Sequence, residues 1–256
     1  MGNRAFISGA TDGIGKSYAY ILAKFGTNLI ICSRNENKLK KLSIELEEKY
    51  KIKCEYFVVD LSKIDEIKIL ADKLSKMKID ILINNAGFAT MGSFHNCTIQ
   101  SQIDMIHVHE IATTCLTHAV LHSMTEQNSG IIINVSSIAS KTFSAGNCVY
   151  SASKSFITTF SQILDIELRN TNIKIQALCP GFTSTGFHEK DYLVGYNKSK
   201  IPSFLWDSPD YVVLYSFKAL RSTKVIVIPG LKNKLLIFIK TNKLTNFLLR
   251  LFLRNK

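Results

Sequence analysis

Short apolar runs alternate along the whole chain with longer segments of helical period. The runs are Ala5–Ser8, Leu29–Cys32, Cys54–Val59, Ile81–Ile83, Ile131–Val135, Ile173–Leu178 and Lys224–Ile228. Between them lie Ile14–Phe25, Glu36–Lys51, Ile64–Met77, Ile103–Gln127, Tyr150–Arg169 and Pro209–Leu220, where apolar residues recur three and four positions apart. Runs that are apolar at consecutive positions belong to strands covered on both faces, and strands alternating with helices are joined by parallel crossovers. The pattern predicts an α/β fold with a doubly wound, seven-stranded parallel sheet flanked by helices, whose ligands bind at the carboxyl ends of the strands. No internal repeat and no linker divides the sequence, so residues 1–230 read as a single domain followed by an extension, 231–256. One stretch breaks the rhythm. Phe182–Asp207 is long and weakly periodic, and Phe182, Phe187, Tyr192, Tyr196, Phe204 and Trp206 crowd it, as expected of a substrate loop walling an apolar pocket.

Composition narrows the class without changing it. The 256 residues are 46% hydrophobic with only 13 Gly and 4 Pro, which excludes disordered and low-complexity architectures. No apolar run approaches the roughly 18 residues needed to span a bilayer, and the first residues read straight into a strand without a secretory apolar region. The expectation is a cytoplasmic protein with reduced cysteines, since Cys32, Cys54, Cys97, Cys115, Cys148 and Cys179 are widely spaced and form no C-x-x-C pair. No metal site is expected either, because the histidines lack ligand spacing supported by carboxylates. The net charge of +12 is unevenly placed: residues 1–210 hold 22 Lys and Arg against 20 Asp and Glu, whereas 211–256 hold ten basic residues and no acidic one.

The first run ends in Gly9-Ala10-Thr11-Asp12-Gly13-Ile14-Gly15 and a helical pattern follows at once. Glycines there permit a tight turn and let backbone N–H groups approach a pyrophosphate, which the helix N-terminus also favours. A dinucleotide site selecting NAD wants an acidic side chain about 20 residues further on. This chain has Ser33 and Arg34 there, with Lys38 beyond, and a guanidinium can fork onto a 2′-phosphate that a carboxylate would repel. Glu36 works against that reading, but NADP(H) is favoured over NAD(H).

Tyr150-Ser151-Ala152-Ser153-Lys154 places a phenol and an ammonium four residues apart on one helix face, just after a strand that ends near Ser137. Reduction of a carbonyl leaves an alkoxide that needs a proton. A free phenol with pKa about 10 is a poor partner, and a fixed cation about 4 Å away at an effective dielectric near 20 contributes around 4 kcal/mol toward lowering that pKa. A hydroxyl such as that of Ser137 can hold the carbonyl oxygen in line.

Together with Asp60-Leu61 after the third strand, Asn84-Asn85-Ala86-Gly87 after the fourth, and Pro180-Gly181 followed by Thr183 and Thr185, these motifs resemble the short-chain dehydrogenase/reductase family, in its order, over about residues 4–185. Residues 108–124 and 176–188 are most similar to the branch of DltE-like, hydroxysteroid and long-chain 3-oxoacyl reductases. The resemblance implies a Rossmann-type fold, NAD(P)(H) dependence, reversible ketone–alcohol chemistry on a small molecule, and a homodimer or homotetramer, and the aromatic residues of the loop favour a lipophilic carbonyl. It implies catalytic roles for Ser137, Tyr150 and Lys154. Asp60 and Leu61 would contact the adenine side and Asn85, Ala86 and Gly87 would line the cofactor. Lys154 would also grip the ribose, and Thr183 would reach the carboxamide. One position departs from the family. An Asn that supports a water relay is matched by His109, which would keep the relay with altered pH dependence, lose it, or simply pack against the fifth strand, and which leaves open an NADP(H)-binding scaffold or sensor with weak or no turnover as the alternative to a reductase.

The tail, 232–256, reads as a basic amphipathic helix with Lys240, Lys243, Arg250 and Arg254 on one arc and Leu244, Leu248, Leu249, Phe252 and Leu253 on the opposite half. It suits an anionic membrane surface, a cap on the pocket, or a subunit interface. No nucleic-acid partner is expected, because no base-stacking platform accompanies the charge.

Overall fold

A computed structural model describes residues 3–186 and 201–242. Seven parallel strands, β1 (Arg4–Ser8), β2 (Asn28–Ser33), β3 (Cys54–Val58), β4 (Ile81–Asn84), β5 (Gly130–Val135), β6 (Ile173–Leu178) and β7 (Ile226–Val227), form one sheet in the order β3-β2-β1-β4-β5-β6-β7. The helices are α1 (Gly13–Lys24), α2 (Glu36–Tyr50), α3 (Ile64–Ser75), α4 (Ile99–Ile106), α5 (Ala112–Glu126), α6 (Cys148–Glu167), α7 (Pro209–Ala219) and α8 (Leu231–Thr241).

The unbroken apolar runs are explained by two cores. Ala5 and Ile7 of β1 point to one side with Tyr18, Leu29, Leu46 and Val212, while Phe6 points to the other with Ile30, Leu70, Leu116 and Ile132. Each strand therefore needs apolar residues on both faces. The chain departs from β1 in opposite directions, to β2 on one side and to β4 on the other. That reversal opens a crevice at the carboxyl ends of β1 and β4.

Two expected elements differ. The segment read as a single helix over Ile103–Gln127 starts at Ile99 and contains a π-helical turn, His107–Ile111, between α4 and α5. Such an inserted residue rotates the side chains that follow it relative to a plain α-helix. The tail is not one helix from 232 to 256: α8 ends at Thr241 and Asn242 is extended, and Lys243, Arg250 and Arg254 lie outside the described residues. The two ends of the aromatic loop are pinned together, with Asp207 N donating to Phe182 O at 2.8 Å and Ser184 N to Asp207 O at 2.9 Å. Phe187, Tyr192 and Tyr196 lie outside the described residues. The six cysteines are free thiols, with Cys32, Cys54 and Cys179 buried and Cys148 exposed. Among the described residues, no helix is long and apolar enough to cross a membrane.

Candidate active site

The glycine turn joins β1 to α1 at the crevice. Gly9 and Gly13 adopt φ of +67° and +53°, a region L side chains rarely enter. A Cβ on Gly9 would stand 2.9 Å from Ala86 Cα, and one on Gly15 only 2.3 Å from the Gly9 carbonyl oxygen. The turn is thereby closed onto the segment after β4. Asn85 Nδ2 donates to the Ser8 and Gly9 carbonyls at 3.0 and 3.1 Å, and the Ser8 hydroxyl accepts from the amides of Asn85 and Ala86, both at 3.0 Å. Asp12 stands at the N-cap of α1 without capping it through its side chain, so the first turn of the helix is left for another acceptor.

From this turn a cavity of about 590 Å³ extends in both directions. One arm passes Asp60 and Leu61 and ends at Ser33, Arg34 and Lys38. The other passes Asn85, Ala86 and Gly87 to Ser137, Tyr150 and Lys154. Thr11, Asp12, Gly13, Ile14, Pro180, Gly181, Thr183 and Thr185 complete the wall. Of the candidate catalytic and cofactor residues, only Gly15 and His109 stand behind the lining. Glu36 begins α2 on the surface and does not line the cavity, whereas Arg34 does. Burial works to raise the pKa of Asp60, but hydrogen bonds from the Ser62 amide and hydroxyl, with the charges of Arg34 and Lys63, outweigh it and hold the carboxyl below its usual value.

At the far end, β5 delivers Ser137 and α6 presents Tyr150 and Lys154 one turn apart. The Tyr150 phenol is hydrogen-bonded to Ser137, and Lys154 Nζ lies 5.8 Å from the centre of the tyrosine ring. Lys154 is buried, and its ammonium donates to the Val135 carbonyl at 2.9 Å. Desolvation dominates both groups. It pushes the phenol above its ordinary pKa, with the Ser137 hydrogen bond opposing, and pushes Lys154 down to about 7. The expectation from the sequence, in which a permanent cation lowers the phenol's pKa, is corrected accordingly: burial outweighs the lowering effect of the Ser137 hydrogen bond, and the phenol stays protonated through neutral pH. In this form it is a proton donor.

His109 is fully buried behind this pair. Its Nε2 accepts the Phe88 amide at 3.2 Å and its Nδ1 lies 2.8 Å from the Ser153 hydroxyl, which donates to the Tyr150 carbonyl at 2.9 Å. Burial first, and the nearby Lys154 charge second, hold its pKa well below the usual value, so the ring is neutral. Because Nε2 is occupied as an acceptor, the proton sits on Nδ1 and is given to Ser153. Both ring nitrogens are engaged within the protein, connecting the segment after β4 to the helix that carries Tyr150 and Lys154. The π-turn aims this ring: a Cβ on Gly87 would come within 2.7 Å of His109 Nε2.

Several contributors were not singled out in the sequence. Ser8 and Ser153 are ordinary serines there, and their value lies in partners 77 and 44 residues away. Leu236 and Lys240 of α8 also line the cavity, so this part of the tail contributes to its wall.

The sequence profile of the family described as "short chain dehydrogenase" matches residues 3–192. The chain is 36% identical over 187 residues to hydroxysteroid dehydrogenase-like protein 1 of Gallus gallus, covering 72% of this chain and 56% of that protein. It is 33% identical over 193 residues to the very-long-chain 3-oxoacyl-CoA reductase of Homo sapiens, covering 72% and 61%. These matches span less than two thirds of the relatives' own lengths. A short-chain dehydrogenase from Sphingobium yanoikuyae, solved in complex with NADPH, superposes with a TM-score of 0.84 at 28% identity, covering 90% of this chain and 88% of the other.

Proposed function

Because the chain belongs to the short-chain dehydrogenase/reductase family, we propose that it reduces a lipophilic ketone or aldehyde to the alcohol with NADPH. The observation that carries this is one cavity that has Arg34 and Lys38 at one end and Ser137, Tyr150 and Lys154 at the other. NADPH bound there supplies the hydride. The glycine turn and the α1 N-terminus would take its diphosphate, Asp60 and Leu61 would flank the adenine, and Arg34 with Lys38 would take the 2′-phosphate. Asn85, Ala86, Gly87, Pro180, Gly181, Thr183 and Thr185 would position the remainder, with Gly15 keeping the turn close to β4. Ser137 would orient the carbonyl oxygen, the protonated Tyr150 would donate to it, and Lys154 would hold the ribose. The apolar surface of Phe88, Met91 and Phe182 in the cavity wall supports a lipophilic substrate. A turnover screen with NADPH against oxoacyl thioesters, steroid ketones and small diketones tests the reading, and tight NADPH binding with no turnover of any of them would refute it.

Arg34→Asp is expected to shift the NADPH/NADH affinity ratio toward NADH by about tenfold to a hundredfold, since a charge-assisted contact contributes about 1.5–3 kcal/mol and a carboxylate adds repulsion. Dissociation constants measured by fluorescence titration check this, and an unchanged ratio would remove Arg34 from the cofactor site.

His109 is read as a positioning residue. His109→Asn keeps a donor where Nδ1 stood and loses the acceptor for Phe88, so turnover should fall by roughly threefold to tenfold, in keeping with about 1 kcal/mol for one hydrogen bond. The pH profile should not move. If the profile shifts with the substitution, protons travel through position 109 and the positioning role is wrong.

The family resemblance also implies a homo-oligomer. An apolar face on α6, with Phe156 and Phe160 stacked at 5.8 Å and Ile163 exposed beside them, supports self-association.

A further inference from the structure

Helix α8 has two dissimilar sides. On the inner side Asn233 is buried, donating to Asp207 Oδ2 at 3.1 Å and to the Pro229 carbonyl at 2.7 Å, and Leu236 and Lys240 line the cavity. On the outer side Leu231, Leu235 and Phe238 form an i, i+4, i+7 stripe and are 82%, 59% and 56% exposed. Phe204, in a turn tied to the same helix, is also 71% exposed. Lys232 holds that residue's turn against α8, donating to the Phe204 carbonyl at 2.9 Å while pairing with Asp207 Oδ1 at 2.7 Å. The half-exposed rings of α7 adjoin it, with the Tyr211 hydroxyl beside Gly230 and the Tyr215 hydroxyl accepting from Lys234 Nζ at 3.4 Å.

Cations predominate around this apolar face, with Asp207 paired to Lys232 on its inner side. From residue 211 onward there are ten Lys and Arg and no Asp or Glu, and six of those cations, from Lys218 to Lys240, lie within the described residues. A stripe of leucine and aromatic side chains flanked by lysines matches the chemistry of a bilayer's interfacial layer, where apolar groups enter the acyl boundary and cations meet phosphates. A second copy of the chain is a poor occupant. A symmetric contact would bring together two α8 helices, each carrying Lys232, Lys234 and Lys240 and no acidic residue of its own, and like charges oppose such pairing.

We propose that the outer face of α8, together with Phe204, docks on an anionic lipid surface, so that the cavity lined by the inner face of the same helix opens beside the membrane and receives its substrate from there. The docking stands on the exposed stripe and the charge; delivery of substrate rests on the reductase reading above.

The test uses the full chain and vesicles of phosphatidylcholine alone or with one third phosphatidylglycerol. Wild type should sediment with the anionic vesicles, weakly with the neutral ones, and less at high salt. Leu235→Ser combined with Phe238→Ser should lower the partition coefficient by about tenfold or more. Both side chains are outside the cavity wall, so the melting temperature and NADPH affinity should hold. Wild type that stays in the supernatant, sediments equally with both vesicles, or is matched by the double variant overturns the docking. A wild-type dimer that the double variant converts to monomers makes a second copy the occupant, which also overturns it. Binding of vesicles only after removal of 243–256 means that the chain's own end covers the face, and the docking falls in that case too. If wild type sediments as expected yet reduces no ketone, supplied in water or in vesicles, the docking is supported and the reductase reading fails.

Discussion

Tyr150→Phe is expected to slow ketone reduction by about a thousandfold, within the range of a hundredfold to ten-thousandfold that a positioned general acid contributes. NADPH affinity should change by less than about twofold, because the ring itself is retained. Phenylalanine keeps the edge contact with His109, whose ring centre lies 5.8 Å away, and leaves the Ser153 link to the Tyr150 backbone untouched. The hydroxyl and its hydrogen bond with Ser137 are lost. Stopped-flow oxidation of NADPH with a saturating ketone, set beside a cofactor titration, separates the two quantities. Turnover within tenfold of wild type would show that another group donates the proton. The raised phenol pKa gives the two directions opposite pH slopes. Reduction uses the protonated form, which persists above the ordinary tyrosine value, whereas alcohol oxidation needs the phenolate and should accelerate as pH rises.

Lys154→Met should abolish turnover and yet stabilise the fold. The ammonium is buried and its pKa is pushed down to about 7 from 10.5 by desolvation. Below about pH 7 the native and unfolded states are both protonated, and the full penalty of burying the cation is present. Between about 7 and 10.5 the unfolded chain binds a proton that the native chain does not, so wild-type stability rises with pH across that window. Above it the penalty is gone. The substitution removes a term on the order of a few kcal/mol at pH 6 and loses about 1 kcal/mol as the Val135 carbonyl forfeits its donor. Calorimetry at pH 6 should therefore show a melting temperature raised by roughly 5 °C, with the difference shrinking toward pH 10. A variant less stable than wild type at pH 6 would mean that the amine is solvated in the folded protein. Higher stability with lost activity is the pattern expected where a residue is retained for chemistry.

Much of the site was legible because its requirements are local. Gly9 and Gly13 announce themselves, since a backbone at positive φ admits few other residues, and Tyr150 and Lys154 share a face through helical spacing alone. His109 was visible as a departure from a family pattern, but its role was not. An imidazole offers donor or acceptor at either nitrogen, and the choice came from Phe88 and Ser153, which lie 21 and 44 residues away. The tail misled for a related reason. Its amphipathic phase from 232 to 256 presupposed one continuous helix, whereas α8 ends at Thr241, with Leu235 and Phe238 facing out and Lys240 beside the cavity.

The order of apolar runs and the chemistry of the turn and helix were determined by the sequence alone, because backbone sterics and side-chain period act over a few residues. Tertiary structure decided the protonation states and the wall of the cavity. Those depend on how completely Tyr150, Lys154 and His109 are removed from water, and only the packing of β4, β5, α6 and the π-turn around them sets that.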